Sequence, residues 1–220
     1  EHANRGKRSV GIDVSTEKGQ ALVYEIAKTA DVFITNYLPA DRQKLKVDLE
    51  HIRAANPNII YVRGSAYGDK GEERETGGFD FTSFWSRSGI AWSMTPEQFE
   101  APLMQGIGGF GDSMAGMNVA GGVSAALFHR AQTGEALEVD VSLLSTAWWA
   151  SGVGVNTASL SNKVTRNAMP KVGSSPGVPL IGYYKTSDGG TINLFTMQPG
   201  PHIRSLFEHI DRPELADDPR

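Results

Sequence analysis

The sequence of 220 residues contains no cysteine. A disulfide framework, a cysteine-based zinc site and a thiol nucleophile are therefore excluded. The five histidines, at positions 2, 51, 129, 202 and 209, lack the mutual spacing of a metal-binding motif, so we expect no metal site. The absence of cysteine also fits a cytoplasmic location, which is the location we expect for this protein.

Long apolar runs and an excess of positive charge are missing as well. No apolar stretch approaches the roughly 20 residues that span a bilayer. The net charge of −4 and the pI near 5.7 give no basic footprint for nucleic acid. Apolar residues still make up 40% of the chain, which is enough to build a core. We therefore expect a globular protein that binds neither a membrane nor nucleic acid.

The first part of the chain alternates between strand and helix patterns. Predicted strands cover residues 9–14, 31–35 and 58–62. The first helix between them is capped by Ser15 or Thr16, and the second carries the apolar residues Leu45, Leu49 and Ile52. This β-α-β-α-β order predicts an α/β fold, a Rossmann-like parallel sheet with flanking helices. A glycine-rich loop at residues 64–78 follows the third strand, where ligands of parallel sheets usually bind.

The second part of the chain divides into a helical region, a linker and a hairpin. Helices are predicted at residues 79–92, from directly after Asp112 to about 132, and at 143–155, with a short strand at 136–140. Residues 156–179 are rich in serine, glycine, proline and asparagine, which predicts a linker. Strands 180–185 and 191–196 flank the turn residues 187–190 (SDGG), and a last helix covers 201–210. We expect a large domain at residues 1–155 and part of a smaller α+β domain at 180–220.

One glycine-rich turn, at residues 106–111 (GIGGFG), leads into Asp112 and a helix rich in glycine and alanine. Free backbone N–H groups and the positive end of the helix dipole meet at such a helix start. A carboxylate held there stays ionised, as a nucleophile must be, but Asp is also a favoured N-cap with a purely structural role. The glycines, including Gly109 and Gly111, let backbone come close to a ligand, which strengthens the case for a functional role of Asp112, although the local features alone favour the structural one.

The same glycines match the dinucleotide fingerprint G-x-G-x-x-G at positions 106, 108 and 111. A helix and then a strand ending in Asp140 follow, as in an NAD(P)-dependent oxidoreductase. The motif requires a hydrophobic strand before its first glycine, whereas residues 97–105 contain no β-branched residue and include Pro102. The sequence alone keeps this oxidoreductase as the alternative function.

Several stretches, in family order and over nearly the whole chain, together resemble the class III CoA-transferases, the group of carnitine–CoA transferase and the bile-acid-inducible F protein. They are residues 4–9 (NRGKRS), 30–39 (ADVFITNYLP), 56–61 (NPNIIY), 78–80 (GFD), 111–112 (GD), 116–117 (GM), 125–127 (AAL), 130 with 133–134, 139–142 (VDVS) and 212–219 (RPELADDP). The family has a further Rossmann-like unit before the first stretch and more helix after the last. The resemblance therefore implies a fragment of a longer protein.

The resemblance implies a CoA-transferase in which Asp112 is the nucleophile. It places Asn36 and Tyr37 beside CoA, and it assigns the CoA phosphates to Lys44 or, because the local spacing differs, to Arg42. Coenzyme A enters as acyl-CoA substrate, with no tightly bound cofactor, and the second substrate is a small carboxylic acid. Members of the family form interlocked homodimers, which we expect here too.

Other activities remain as alternatives to this interpretation. The 2-methylacyl-CoA racemases of the family need a histidine where this chain has Phe79, so a racemase is disfavoured. A CoA-binding fragment without turnover is the non-enzyme alternative. The sequence does not name the acyl group or the acceptor acid.

Overall fold

The computed structural model describes residues 2–164, 166, 181–196 and 200–217. The chain forms two compact units, one of residues 1–95 and 99–166 and the other of residues 96–98 and 167–220. The larger unit contains a parallel sheet with flanking helices, and the smaller one contains a hairpin and a helix. The predicted α/β class is therefore confirmed. No helix in the described ranges is long and apolar enough to cross a membrane.

The larger unit is built on three parallel strands in the order β1-β2-β3. The strands are β1 (Val32–Thr35), β2 (Ile60–Ser65) and β3 (Glu138–Ser142). The helices are α1 (Glu17–Ala27), α2 (Pro39–Lys44), α3 (Leu49–Ala55), α4 (Ile90–Met94), α5 (Phe110–Thr133), α6 (Leu143–Ala150) and α7 (Gly152–Ser161), with a 3-10 turn at His2–Asn4 and a π-helix at Asp80–Ser86.

The central strand β2 carries the core on both of its faces. Successive side chains of a strand point to opposite sides of the sheet. Tyr61 accordingly packs in a cluster with Ile52 of α3, while Ile60 and Val62 pack against Ala126 of α5. A strand covered on both faces is apolar without alternation, as the first half of β2 is, and this is typical of parallel sheets.

Local signals place several helix ends where the sequence predicts them. Thr16 is the N-cap of α1, and its hydroxyl accepts a hydrogen bond from the N–H of Gly19 at 3.1 Å. Gly134 ends α5 in the left-handed conformation with φ of 79°, a geometry that glycine adopts at no steric cost. The strand predicted at 136–140 is β3, two residues further along the chain.

Three predictions about elements within residues 1–95 are wrong. Residues 9–14 form no strand and pair with no strand in the described part of the chain, and Val10 is 70% exposed. The predicted second helix is two helices, because Lys46 takes a φ of 55° after α2 and Asp48 caps a new helix, α3. The predicted helix 79–92 is likewise two, since Gly89, with a φ of 87°, separates the π-helix from α4.

The predicted linker at residues 156–179 begins too early. Its first six residues belong to α7, which ends at Ser161. Residues 165 and 167–180 lie outside the described residues, so the linker character of that part stays a prediction, as do the domain boundaries at 155 and 180.

The smaller unit contains the antiparallel hairpin of β4 (Ile181–Lys185) and β5 (Thr191–Phe195), with Lys185 opposite Thr191. Gly189 has a φ of 86° in the turn, which confirms the hairpin signal of residues 187–190. Helix α8 (Gly200–His209) and a 3-10 turn at Pro213–Asp217 complete the unit.

Candidate active site

Asp112 is the third residue of α5, a helix of 24 residues. The helix begins at Phe110, and its N-cap is Gly109 in the left-handed conformation with φ of 72°. The prediction that the helix begins directly after Asp112 is therefore wrong by three residues, and Asp112 is not the N-cap. Its side chain still lies in the first helical turn, where the helix dipole favours negative charge.

The carboxylate of Asp112 borders a cavity of about 620 Å³ in the larger unit. The cavity lies where β1, β2 and β3 end, so the residues just past each strand, Asn36, Ala66 and Leu143, contribute to its wall. The remaining wall comes from residues 77–81, from the loop around Gln105, Gly108 and Gly109, and from the first turns of α5. Ligands of open α/β sheets bind at this edge, the carboxyl ends of the strands.

Asp112 is exposed, and its carboxylate has no hydrogen-bond partner among the described residues. Partial burial raises the pKa of Asp112, and the negative charge of Asp80 raises it further. Among the described residues that line the cavity, these two aspartates are the ionisable ones. A carboxylate with free lone pairs and no neutralising cation retains its nucleophilicity.

Asp80 holds the loop in front of α5. Its side chain is only 8% exposed, and its Oδ1 accepts a hydrogen bond from the N–H of Gly111 at 2.9 Å. Its Oδ2 accepts from Nε2 of Gln105 at 2.6 Å, and the same Nε2 donates to the carbonyl of Ile107 at 2.7 Å. We assigned no role to Asp80 from the sequence, where the one signal was its place in the stretch 78–80.

Gly111 is needed for close packing behind the cavity. A Cβ at this position would lie 2.2 Å from Cγ of Phe84 and 2.4 Å from Oδ1 of Asp80. Gly111 is buried and does not line the cavity, whereas Gly109 does. Of these two glycines, Gly109 is therefore the one whose backbone faces a ligand in the cavity.

The four residues predicted to contact CoA separate into three environments. Asn36 is exposed and lines the cavity, and Tyr37 beside it is 45% exposed. Lys44, at the end of α2, is exposed. Arg42, by contrast, is only 2% exposed, and its guanidinium bonds the carboxylates of Asp48 and Asp69 and the carbonyl of Tyr37.

The dinucleotide fingerprint lacks its structural context. Residues 96–109 contain turns, bends and irregular backbone, and no strand enters Gly106. A dinucleotide-binding turn must follow directly on a β-strand, which places the bound pyrophosphate at the N-terminus of the next helix. The segment around Gly106 is instead a loop that is hydrogen-bonded to Asp80 through Gln105 and Gly111 and that leads into α5.

An exposed carboxylate in the first turn of a helix, beside glycines and at the carboxyl edge of a parallel sheet, defines a site suited to nucleophilic acyl transfer. The chain belongs to CoA-transferase family III, whose family model matches residues 1–220. It is 32% identical over 217 residues to the (R)-2-hydroxy-4-methylpentanoate CoA-transferase of Clostridioides difficile, covering 99% of this chain and 53% of that protein.

Two further relatives agree with this assignment. The cinnamoyl-CoA:phenyllactate CoA-transferase of Clostridium sporogenes is 28% identical over 222 residues, covering 99% of this chain and 52% of that protein. A crystal structure of Rv3272 from Mycobacterium tuberculosis superposes with a TM-score of 0.78 at 28% identity, over 98% of this chain and 55% of that one. The chain thus spans about half the length of the relatives that it matches.

Proposed function

We propose that the full-length protein is a CoA-transferase that moves CoA from an acyl-CoA to a small carboxylic acid in the cytoplasm, with Asp112 as the nucleophile. One observation carries this proposal: Asp112 is an exposed carboxylate, unpartnered among the described residues, at the edge of a cavity of about 620 Å³. Family membership supplies the reaction class, and the cavity supplies space for a thioester beside the carboxylate.

The chemistry requires two exchanges at one carboxyl group. A carboxylate oxygen of Asp112 attacks the thioester carbonyl, and the C–S bond breaks to give an acyl–aspartyl anhydride and CoA thiolate. The thiolate then attacks the aspartyl carbonyl, which releases the first acid and leaves Asp112 as a CoA thioester. The acceptor carboxylate attacks that thioester and expels CoA thiolate, which gives an anhydride between the acceptor and Asp112. The thiolate then attacks the acceptor's carbonyl in this anhydride, which forms the new acyl-CoA and releases the carboxylate of Asp112.

Backbone N–H groups at the start of α5 are available to the oxyanions of these steps. The N–H of Gly111 is occupied by Asp80, but those of Phe110 and Asp112 have no acceptor among the described residues. The first four N–H groups of a helix have no partner within the helix, and they point along its axis towards a bound anion. Oxyanion stabilisation by such donors is often the largest single contribution to catalysis.

Recognition of CoA is assigned to Asn36, Tyr37 and Lys44, with Gly109 providing close backbone. Asn36 lines the cavity, and Lys44 is an exposed cation on the helix that follows β1. Arg42 was the alternative phosphate ligand, but its donors are already bound to two carboxylates and a carbonyl, which favours Lys44. CoA arrives as substrate with each turnover.

We further propose that the full-length protein is a homodimer, as the family resemblance implies. Large apolar side chains are exposed on α6 and α7, where Trp149 and Val153 are each 84% accessible and Leu160 is 91% accessible. Exposed apolar surface of this kind marks an interaction site. A stable monomer in sedimentation velocity at low micromolar concentration would contradict the dimer.

The test is trapping of the intermediate in the full-length protein. Incubation with an acyl-CoA and hydroxylamine converts an aspartyl anhydride or thioester into a hydroxamate, which peptide mass spectrometry should locate at Asp112. The acceptor panel should include 2-hydroxy acids with apolar side chains, because the names of two relatives specify such acids. Succinate and a simple fatty acid complete the panel.

The matched variant is Asp112→Asn, which keeps the shape of the side chain but is a poor nucleophile. We expect it to fold and to lose several orders of magnitude in transfer rate, as other covalent catalysts do on losing the nucleophile. Near-wild-type turnover by this variant, or a hydroxamate at another residue, would contradict the assignment. Binding of acyl-CoA without turnover in the wild-type protein would favour a CoA-binding protein instead.

A further inference from the structure

Asp80 lies beside the proposed nucleophile but takes part in none of the steps above. We propose that Asp80 is a positioning residue: by bonding the N–H of Gly111 and the side-chain amide of Gln105, it fixes the loop 105–111 and orients the carboxylate of Asp112. The proposal rests on the proposed function, because it concerns the efficiency of Asp112 as a nucleophile.

The hydrogen bonds of Asp80 tie distant parts of the chain to one point. Its two oxygens bind Gly111, 31 residues along the chain, and Gln105, 25 residues along, at 2.9 Å and 2.6 Å. Nε2 of Gln105 also donates to the carbonyl of Ile107, so both ends of the loop are held by the same amide and carboxylate. A shift of Asp80 therefore moves the residue immediately before Asp112.

Packing keeps Asp80 itself in place. It is the first residue of the π-helix, and Phe84 in the same helix is only 1% exposed. The ring of Phe84 meets that of Phe110, the first residue of α5, edge to face with 5.9 Å between centroids. Gly111 fits against Phe84 and Asp80 only because it has no side chain. The carboxylate of Asp80 thus has a fixed position relative to the first turn of α5.

The charge of Asp80 also acts on Asp112. The loop 105–109, the ends of the three strands and the first turns of α5 contribute no other ionisable side chain to the described cavity wall. Removing the charge of Asp80 should therefore lower the pKa of Asp112, which that charge now raises. The acid limb of the rate profile, where Asp112 becomes protonated and inactive, should move to lower pH.

The decisive variants are Asp80→Asn, Gln105→Glu and the double swap, measured in the full-length enzyme. Asp80→Asn keeps an acceptor for Gly111 but turns an amide N–H₂ towards the N–H₂ of Gln105. Gln105→Glu places two carboxyl groups against each other. The swap restores a donor–acceptor pair with the charge moved to position 105. It leaves only the carbonyl of Ile107 without its donor.

We expect Asp80→Asn to lower kcat by about 10- to 100-fold, the range for a misplaced reacting group, with little change in KM for acyl-CoA. Its acid limb should move to lower pH. Gln105→Glu should also lower kcat, and the swap should recover part of that loss and return the acid limb towards wild type. Glu135→Gln, an exposed carboxylate beyond the end of α5, is the charge-removal control and should behave as wild type.

Several results would overturn the proposal. The first is a wild-type kcat and pH profile in Asp80→Asn. The second is a lower kcat in Asp80→Asn with an unmoved acid limb and with no recovery of kcat in the swap. The third is failure of both Asp80→Asn and the swap to fold, as judged by circular dichroism. The last result would assign Asp80 to stability alone. Asp112→Asn, assayed in parallel, separates the two proposals, because an active Asp112→Asn variant removes the proposed function itself.

Discussion

A methyl group at position 111 tests the packing that supports the candidate site. In Gly111→Ala the new Cβ would lie 2.2 Å from Cγ and 2.6 Å from Cβ of Phe84, and 2.4 Å from Oδ1 of Asp80. All three distances are shorter than any real Cβ contact, and neither neighbour is the free end of a flexible side chain. Phe84 is in the core, and Asp80 is fixed by its hydrogen bonds.

Two opposing effects set the size of the change. Alanine is favoured over glycine in a helix by about 1 kcal/mol. Forcing a methyl group into a close-packed site costs about 1–3 kcal/mol, and the buried contacts around Gly111 place it at the upper end of that range. We therefore expect Gly111→Ala to lower the free energy of unfolding by about 2 kcal/mol, taking both effects together.

Urea unfolding of the full-length protein, followed by circular dichroism and tryptophan fluorescence, measures this change. The matched control is Gly121→Ala on the same helix, where a Cβ would meet no atom within 4 Å. It should raise stability by up to about 1 kcal/mol, through helix propensity alone. Equal or greater stability of Gly111→Ala, in line with the control, would refute the close-packing argument. The rate should also fall, because Asp112 adjoins the displaced residue.

Three further changes have defined outcomes. Arg42→Ala should lower the free energy of unfolding by about 3 kcal/mol in urea titrations, because it leaves the carboxylate partners of a buried cation without their counter-charge. Lys44→Ala should raise KM for acyl-CoA by about tenfold, the equivalent of one charge-assisted hydrogen bond. The exposed Lys18→Ala serves as its control, and equal KM values would contradict the assignment. The pKa of Asp112 is higher in the folded protein than in the unfolded chain. Ionisation of Asp112 therefore lowers the free energy of unfolding at a pH above the folded-state pKa, and it has no effect at a pH below the pKa of an unfolded aspartate. Asp112→Asn should therefore raise Tm slightly at neutral pH and leave it unchanged in acid, and a lower Tm at neutral pH would be inconsistent with this reasoning.

The predictions that rested on a strong local pattern were largely confirmed. The strand predicted at 58–62 overlaps β2, whose residues 60–62 are fully buried, Thr16 caps α1 through its own hydroxyl, and the SDGG turn joins β4 to β5. Each of these signals acts within a few residues. Residues 9–14 have a strand pattern too, but a strand is stable only beside a neighbour, and none pairs with them in the described part of the chain.

The site was predicted only in part. Glycine spacing and the family resemblance singled out Asp112, and the structure places it at a cavity together with Asn36 and Gly109. The sequence did not predict that α5 begins before Asp112, because the left-handed Gly109 provides a helix start without a capping side chain. The sequence offered Arg42 as a cation for the CoA phosphates, but in the structure its guanidinium is buried and bonded to two carboxylates.

By itself, the sequence determined the α/β class and the order of most elements, since strand alternation, helix periodicity and turn residues are properties of neighbouring positions. Only the tertiary structure decided that Asp80 bonds Gly111 and Gln105, and that burial and the charge of Asp80 raise the pKa of Asp112. These effects join groups that lie 25 to 32 positions apart in the chain. Desolvation and Coulomb interactions depend on distances that the fold sets, and no local pattern encodes them.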